Sequence, residues 1–239
     1  MRQDCNYFWI DGKRSDELGI VLQSPVTFSS PVPNVTAQSI PGRNGDLHFF
    51  DGSYGNVTGT ARCFLLNQEN ASMALSNLAR LCFLEPGYHR LEVSSEPGFY
   101  RMARIAEGAE TEIRKNILAP FSLAFDCKPQ KFLIAGEVEM ELPEHGGILY
   151  NQWFPALPLI RLYGSGSGGL VVNGVTISVS SIDEYLDLDC DIQEAYKGSK
   201  LQNNKISSND FPVLKPGSNS IAWTGGINRV TLIPRWWTL

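Results

Sequence analysis

The sequence predicts a mainly β fold with one α-helix, on three observations. Glycine and proline are frequent, 22 and 14 of 239 residues, and they recur as breakers between short runs rich in β-branched and aromatic residues. A single segment repeats its apolar residues at the three- and four-residue steps of a helix. With 43% apolar residues and a net charge of −5, the chain has the composition of a protein that buries a sizeable core without metal or disulfide staples.

Taken in order, Asn6 to Ile10, the turn Asp11-Gly12 and Leu18 to Leu22 read as strand, hairpin turn and strand, because Asp-Gly supplies the positive φ such a turn needs. Pro25, Pro31 and Pro33 exclude a central strand from Ser24 to Val35, since proline removes a ladder donor. From Ser39 to Thr60 the turn pairs Pro41-Gly42, Asn44-Gly45, Asp51-Gly52 and Gly55-Asn56 surround Leu47, Phe49, Phe50 and Tyr54. A segment so rich in turns has little room for a core of its own, so its aromatic residues must be buried against the rest of the fold or against a partner. Ala71, Ala74, Leu75, Leu78, Leu81 and Cys82 then mark a helix over about Asn70 to Leu84, which Pro86-Gly87 ends. Tyr88 to Ser94, Phe99 to Glu107 and Asn116 to Cys127 read as strands.

Around Ala135 to Asn151 the chain becomes a polar connector with Pro143, His145, Gly146 and Gly147, which predicts a domain boundary. The expected division is 1–135, a linker at 136–150, and a second domain over 151–239. Leu157 to Tyr163, Gly169 to Asn173, Val175 to Val179, Tyr185 to Asp189, Asn219 to Trp223 and Arg229 to Pro234 are short strands in this reading. That spacing describes a β-sandwich or jelly roll.

No basic cluster offers the counterion-release term of nucleic-acid binding, and no apolar run approaches the ~18 residues of a membrane span. The opening residues carry no signal-peptide pattern, so the chain is expected to stay in the cytoplasm or to leave by a route other than secretion. Cys5, Cys63, Cys82, Cys127 and Cys190 are widely spaced and odd in number, which predicts reduced and mostly buried thiols. His48, His89 and His145 lack metal-ligand spacing. Gly164 to Gly169 matches the letters of a dinucleotide fingerprint, and Gly164-Ser165-Gly166-Ser167-Gly168 those of a hydrolase elbow. Both motifs need a helix to follow, and a strand follows here, so a flexible loop is the expectation. Asp187, Asp189 and Asp191 share a strand face that is read as solvated, with a weak cation site as the alternative. Trp236 and Trp237 are adjacent. On a strand they would point to opposite faces, which makes one of them a candidate for a partner or sugar surface.

Several phrases, in this order, resemble the distal tail protein (Dit) family of siphophages that infect Gram-positive bacteria. They are Tyr7-Phe-Trp-Ile-Asp-Gly-Lys-Arg-Ser-Asp-Glu-Leu-Gly-Ile-Val-Leu22, Ile40-Pro-Gly-Arg-Asn-Gly-Asp46 and Phe125-Asp-Cys-Lys-Pro129. In the second half they are Asn151-Gln-Trp-Phe-Pro-Ala-Leu-Pro-Leu-Ile160, Val172-Asn-Gly-Val175 and Pro234-Arg-Trp-Trp-Thr-Leu239. The resemblance implies an N-terminal β-domain with one helix that assembles into a hexameric ring, and a C-terminal galectin-like β-sandwich. It makes residues 39–60 an extended belt that embraces the neighbouring subunit, with Arg43, Asp46, Phe49, Phe50 and Tyr54 at the interface; the possible partner surface at Trp236 and Trp237 rests on their adjacency instead.

By the same resemblance the function is structural. The ring joins the tail tube protein to tail-associated lysin, tail fibre and receptor-binding proteins at the tip, and leaves a channel for the tape measure protein and DNA. No enzyme activity, cofactor, metal, sequence-specific nucleic-acid binding or membrane contact is expected. The protein is made in the bacterial cytoplasm and resides in the virion tail. The alternative is a carbohydrate-binding module for the host wall, which the exposed tryptophans would suit. Residues 150 to 239 lack a clustered polar groove signature, and 239 residues leave no room for the inserted sugar-binding module that some family members carry.

Overall fold

The structure is a computed structural model that describes residues 7–65, 71–84, 86–107, 113–114, 117–118 and 120–239. Two compact units divide it: residues 1–131 together with Leu239, and residues 132–238.

The strands of the first unit are β1 (Phe8–Ile10), β2 (Lys13–Arg14), β3 (Ile20–Leu22), β4 (Thr27–Phe28), β5 (Pro33–Gln38), β6 (Leu47–Tyr54) and β7 (Val57–Leu65). Helix α1 (Ala71–Phe83) is followed by β8 (His89–Val93), β9 (Phe99–Glu107), the short pair β10 (Ile113–Arg114) and β11 (Ile117–Leu118), and β12 (Phe121–Leu133). The main sheet runs β2-β1-β8-β9-β12-β7-β3, with β4 also paired to β7. β7 shows why it forms: Val57, Ala61, Cys63 and Leu65 point inward in strict alternation with exposed Thr58, Thr60 and Arg62. They meet Phe121, Leu123, Phe125 and Cys127 of β12 in one core, which Ala71 and Leu78 of α1 join. The helix therefore lies where its periodicity puts it, though Asn70 falls outside the described residues.

The opening hairpin differs from expectation. Asp11 and Gly12 do turn with positive φ, 48° and 78°, but the returning strand is Lys13–Arg14, paired through Trp9↔Arg14 and Ile10↔Lys13. Ile20–Leu22 pairs instead with β7. A short 3-10 turn, Asp16–Leu18, closed by Gly19 at φ 75°, redirects the chain, and Ser15 pins it by accepting the Phe8 N–H at 3.3 Å.

The second unit contains β13 (Met140–Glu141), β14 (Gly147–Asn151), β15 (Leu159–Val172), β16 (Val175–Asp189), β17 (Glu194–Lys197), β18 (Lys200–Leu201), β19 (Ile206–Ser207), β20 (Gly217–Ile233) and β21 (Trp237–Thr238). The sheet runs β13-β20-β15-β16-β17-β18, with β14 on β20 and β19 on β16. Two corrections follow. Residues 136–150, read from composition as a linker, carry β13 and β14 and belong to this sheet. The expected short strands fuse into strands of 14, 15 and 17 residues.

The second correction has a steric cause. The Gly164–Gly169 segment is not a loop; it runs inside β15, with register shifts at Tyr163/Gly164 and between Gly164 or Gly166 and Gly168. There the backbones of β15 and β20 nearly touch: a Cβ at Gly226 would lie 1.8 Å from the Ser165 carbonyl oxygen, and one at Gly164 would lie 1.9 Å from that of Gly226. Only glycine permits such an approach. Ile160 and Leu162 before the shift share one core with Leu170 and Val172 after it. The long strands thus serve both layers of the expected sandwich.

Candidate functional site

Strands β5 and β6 form a two-stranded ribbon of their own, paired through Gln38↔Leu47, Ala37↔His48, Thr36↔Phe49 and Val35↔Phe50. Gly42 and Gly45, both at φ 81°, shape its tip. The ribbon is rooted where the Gly55 N–H donates to the Val32 carbonyl at 2.8 Å. This replaces the expected turn-rich loop at 39–60. The paired region starts at Pro33 rather than Ser39, and Val57 to Thr60 belong to β7, where Val57 is buried.

No residue from 33 to 54 is buried. Because directly opposite residues share a face, Leu47 and Phe49 lie with Thr36 and Gln38 on one side, and Phe50 lies with Val35, Ala37 and His48 on the other. Phe49 and Phe50 are 52% and 50% exposed, so each face presents an aromatic ring to solvent. Tyr54, half-buried, meets Phe50 edge to face at 5.4 Å. Arg43 and Asp46 are exposed at the tip. The five residues expected at a subunit interface thus sit on one projecting element. Val32 and Val35 join them, 66% and 42% exposed; the prolines around them hid this in the sequence, although Val35 and Ala37 keep the two-residue alternation. Ser53 donates its backbone N–H and hydroxyl to Asp51 at 2.8 and 2.7 Å, which lowers the Asp51 pKa and stiffens the bend at Gly52.

The tryptophans are placed differently from the expectation. Trp236 is buried at 8% exposure, and Trp237 packs against the same core. Trp236 lies outside any strand, directly before β21, so the strand alternation that would have separated the two rings does not apply. Trp236 backs onto Gly136, where a Cβ would meet its nitrogen at 2.5 Å. Trp237 stacks on Phe154 at 4.8 Å and donates its Nε1–H to the Pro155 carbonyl at 2.9 Å. Neither is an open stacking platform, and Trp223 is buried too.

Asp187 and Asp189 are neither solvated nor arranged for a cation. Both are buried. Asp187 accepts Nε and Nη2 of Arg161 at 2.5 and 2.9 Å; Asp189 accepts both terminal nitrogens of Arg235 at 2.7 and 2.9 Å. Burial works against ionised Asp189, but the Arg235 hydrogen bonds and charge outweigh it and its pKa is lowered. Asp191 remains exposed. On the same sheet Arg229 lies 3.8 Å over Tyr163, and Arg161 and Lys197 lie 4.8 and 5.2 Å over Tyr185, so cations already cover faces that a sugar would need. Cys63, Cys127 and Cys190 are free and buried, and burial pushes each thiol up to about 12. Cys5 and the Cys82 side chain lie outside the described residues.

No family model and no curated protein sequence matches the chain. Among solved structures, the SPP1 Dit (gp 19.1) protein, described as a paradigm of hub adsorption apparatus in phages infecting Gram-positive bacteria, superposes with a TM-score of 0.74 at 16% identity, covering 98% of this chain and 99% of that one. A chain of the phage P2 baseplate in its activated conformation with Ca matches with a TM-score of 0.53 at 11% identity, covering 98% of both chains. Over essentially its whole length, the chain has the fold of the phage Dit protein.

Proposed function

We propose that the chain is a structural component of a phage tail baseplate, a distal tail hub that acts by assembly and carries out no reaction. The observation that carries this reading is the whole-length likeness to SPP1 Dit, and the exposed ribbon supports the mode of assembly. A ribbon with apolar side chains on both faces and open strand edges has unfavourable contact with water until a partner covers it. When the covering surface belongs to the next copy, the contact is head-to-tail, and six such contacts close a ring with a central channel for the tape measure protein and DNA. The ring then joins the tail tube to lysin, fibre and receptor-binding proteins at the tip of the virion. Arg43, Asp46, Phe49, Phe50 and Tyr54 are the interface residues in this reading.

The test replaces residues 34–53 by Asn-Gly, a two-residue turn that reconnects Pro33 to Tyr54 without touching β7. Light scattering across a concentration series is expected to give six-chain rings for the wild type and folded monomers for the variant. Six-chain rings formed by the shortened chain would remove the ribbon from the interface.

A further inference from the structure

We propose that the surface receiving the ribbon, on a second copy of this chain, is the cleft between the β1–β2 hairpin and the C-terminal half of α1. The inference rests on the ring reading above and names the other half of its contact. The cleft has a volume of about 500 Å3, with Asp11, Lys13 and His89 on the sheet side, Leu18 at its side and Arg80 and Leu84 on the helix side. Leu84 is 68% exposed and its neighbour Phe83 54%, so the helix ends in apolar surface that the described residues of its own unit do not cover.

Three features match donor to acceptor. The ribbon carries Phe49 and Phe50 on opposite faces, which suits insertion between two walls better than contact with a flat surface; the hairpin and the helix supply two walls. Charge is complementary: Lys13 and Arg80 make no ion pair among the described residues, and the ribbon brings the exposed Asp46 and Asp51. Asp11 at the hairpin end, 2.6 Å from His89, offers an acidic counterpart to Arg43. Placement allows both halves to act at once, because β9 and β12 stand between β8, which borders the cleft, and β7, which roots the ribbon. One copy can therefore give its ribbon to one neighbour while it receives that of another.

The experiment places the photo-crosslinker benzoylphenylalanine at position 50 and mixes 15N-labelled with unlabelled full-length chains before irradiation. Mixed-isotope cross-links are expected on the tryptic peptide 81–90, which contains Leu84. Leu84→Asp is expected to raise the concentration of half-assembly about tenfold or more, as loss of a buried leucine implies, with an unchanged melting curve. Mixed cross-links confined to other peptides, or assembly indifferent to Leu84→Asp, would overturn the cleft while leaving ring assembly standing. A wild-type chain that sediments as a monomer at every concentration would overturn the ring reading itself, and the cleft with it.

Discussion

Asp189 has only 6% of its surface exposed, and it stays ionised because Arg235 reaches it from the far end of the chain. Removing that arginine leaves a buried charge uncompensated, so Arg235→Ala is expected to cost about 3–5 kcal/mol in urea unfolding at pH 7. The pH dependence has a definite sign. A carboxylate whose folded pKa is lowered stabilises the protein fully above its unfolded value near 4, and loses that contribution as pH falls through the folded value. In the variant the fall in stability below pH 4 should accordingly be shallower than in the wild type. The acidic run itself is plain in the sequence, and its strand alternation holds for Asp187 and Asp189, whereas Asp191 lies in the turn beyond β16. The partner of Asp189 lies 46 residues away, and no local pattern shows which cation folds back onto a carboxylate. Trp236 and Trp237 are misplaced for a related reason: Trp236 lies outside β21, so the alternation on which their separation depends does not apply to the pair.

At the scale of elements, α1 is legible because it carries its own period of apolar steps of three and four, and the strand read over Phe99 to Glu107 has the bounds of β9. The glycine-rich stretches of the second unit are not legible. Gly-Gly and Gly-Ser runs look alike whether they turn the chain or let two strands touch, and the difference lies in a partner backbone some 60 residues further on in the sequence. The two uses separate by mutation. Gly226→Ala would drive a methyl group into the Ser165 carbonyl and is expected to destabilise the second unit at or above the upper end of the ~1–3 kcal/mol usual for overpacking. Gly169→Ala meets only the Thr224 hydroxyl at 3.4 Å and should melt within a few degrees of the wild type. Equal melting temperatures for the two variants would mean that the close crossing does not govern the fusion of these strands.

For the whole molecule, the sequence shows two regions of different character, yet the polarity of the connector makes it look like free chain. β13 and β14 edge β20, and β14 leaves Ile148 and Tyr150 exposed; it is Glu139, Glu141, Pro143, Glu144, His145 and Gly146 around them that give the stretch the composition of a linker. A fragment of residues 132–239 is therefore expected to unfold in one cooperative transition with native near-ultraviolet dichroism. A fragment starting at 146 lacks β13 and should melt at lower temperature; identical melting of the two would return residues 136–145 to the role of a tether. The hydrogen bond between Gly55 and Val32 has a consequence for descent as well as for stability. The ribbon enters and leaves the first unit at one point, and none of its residues contributes to a core. Recombination at those two positions would exchange the ribbon whole while every buried side chain kept its own neighbours.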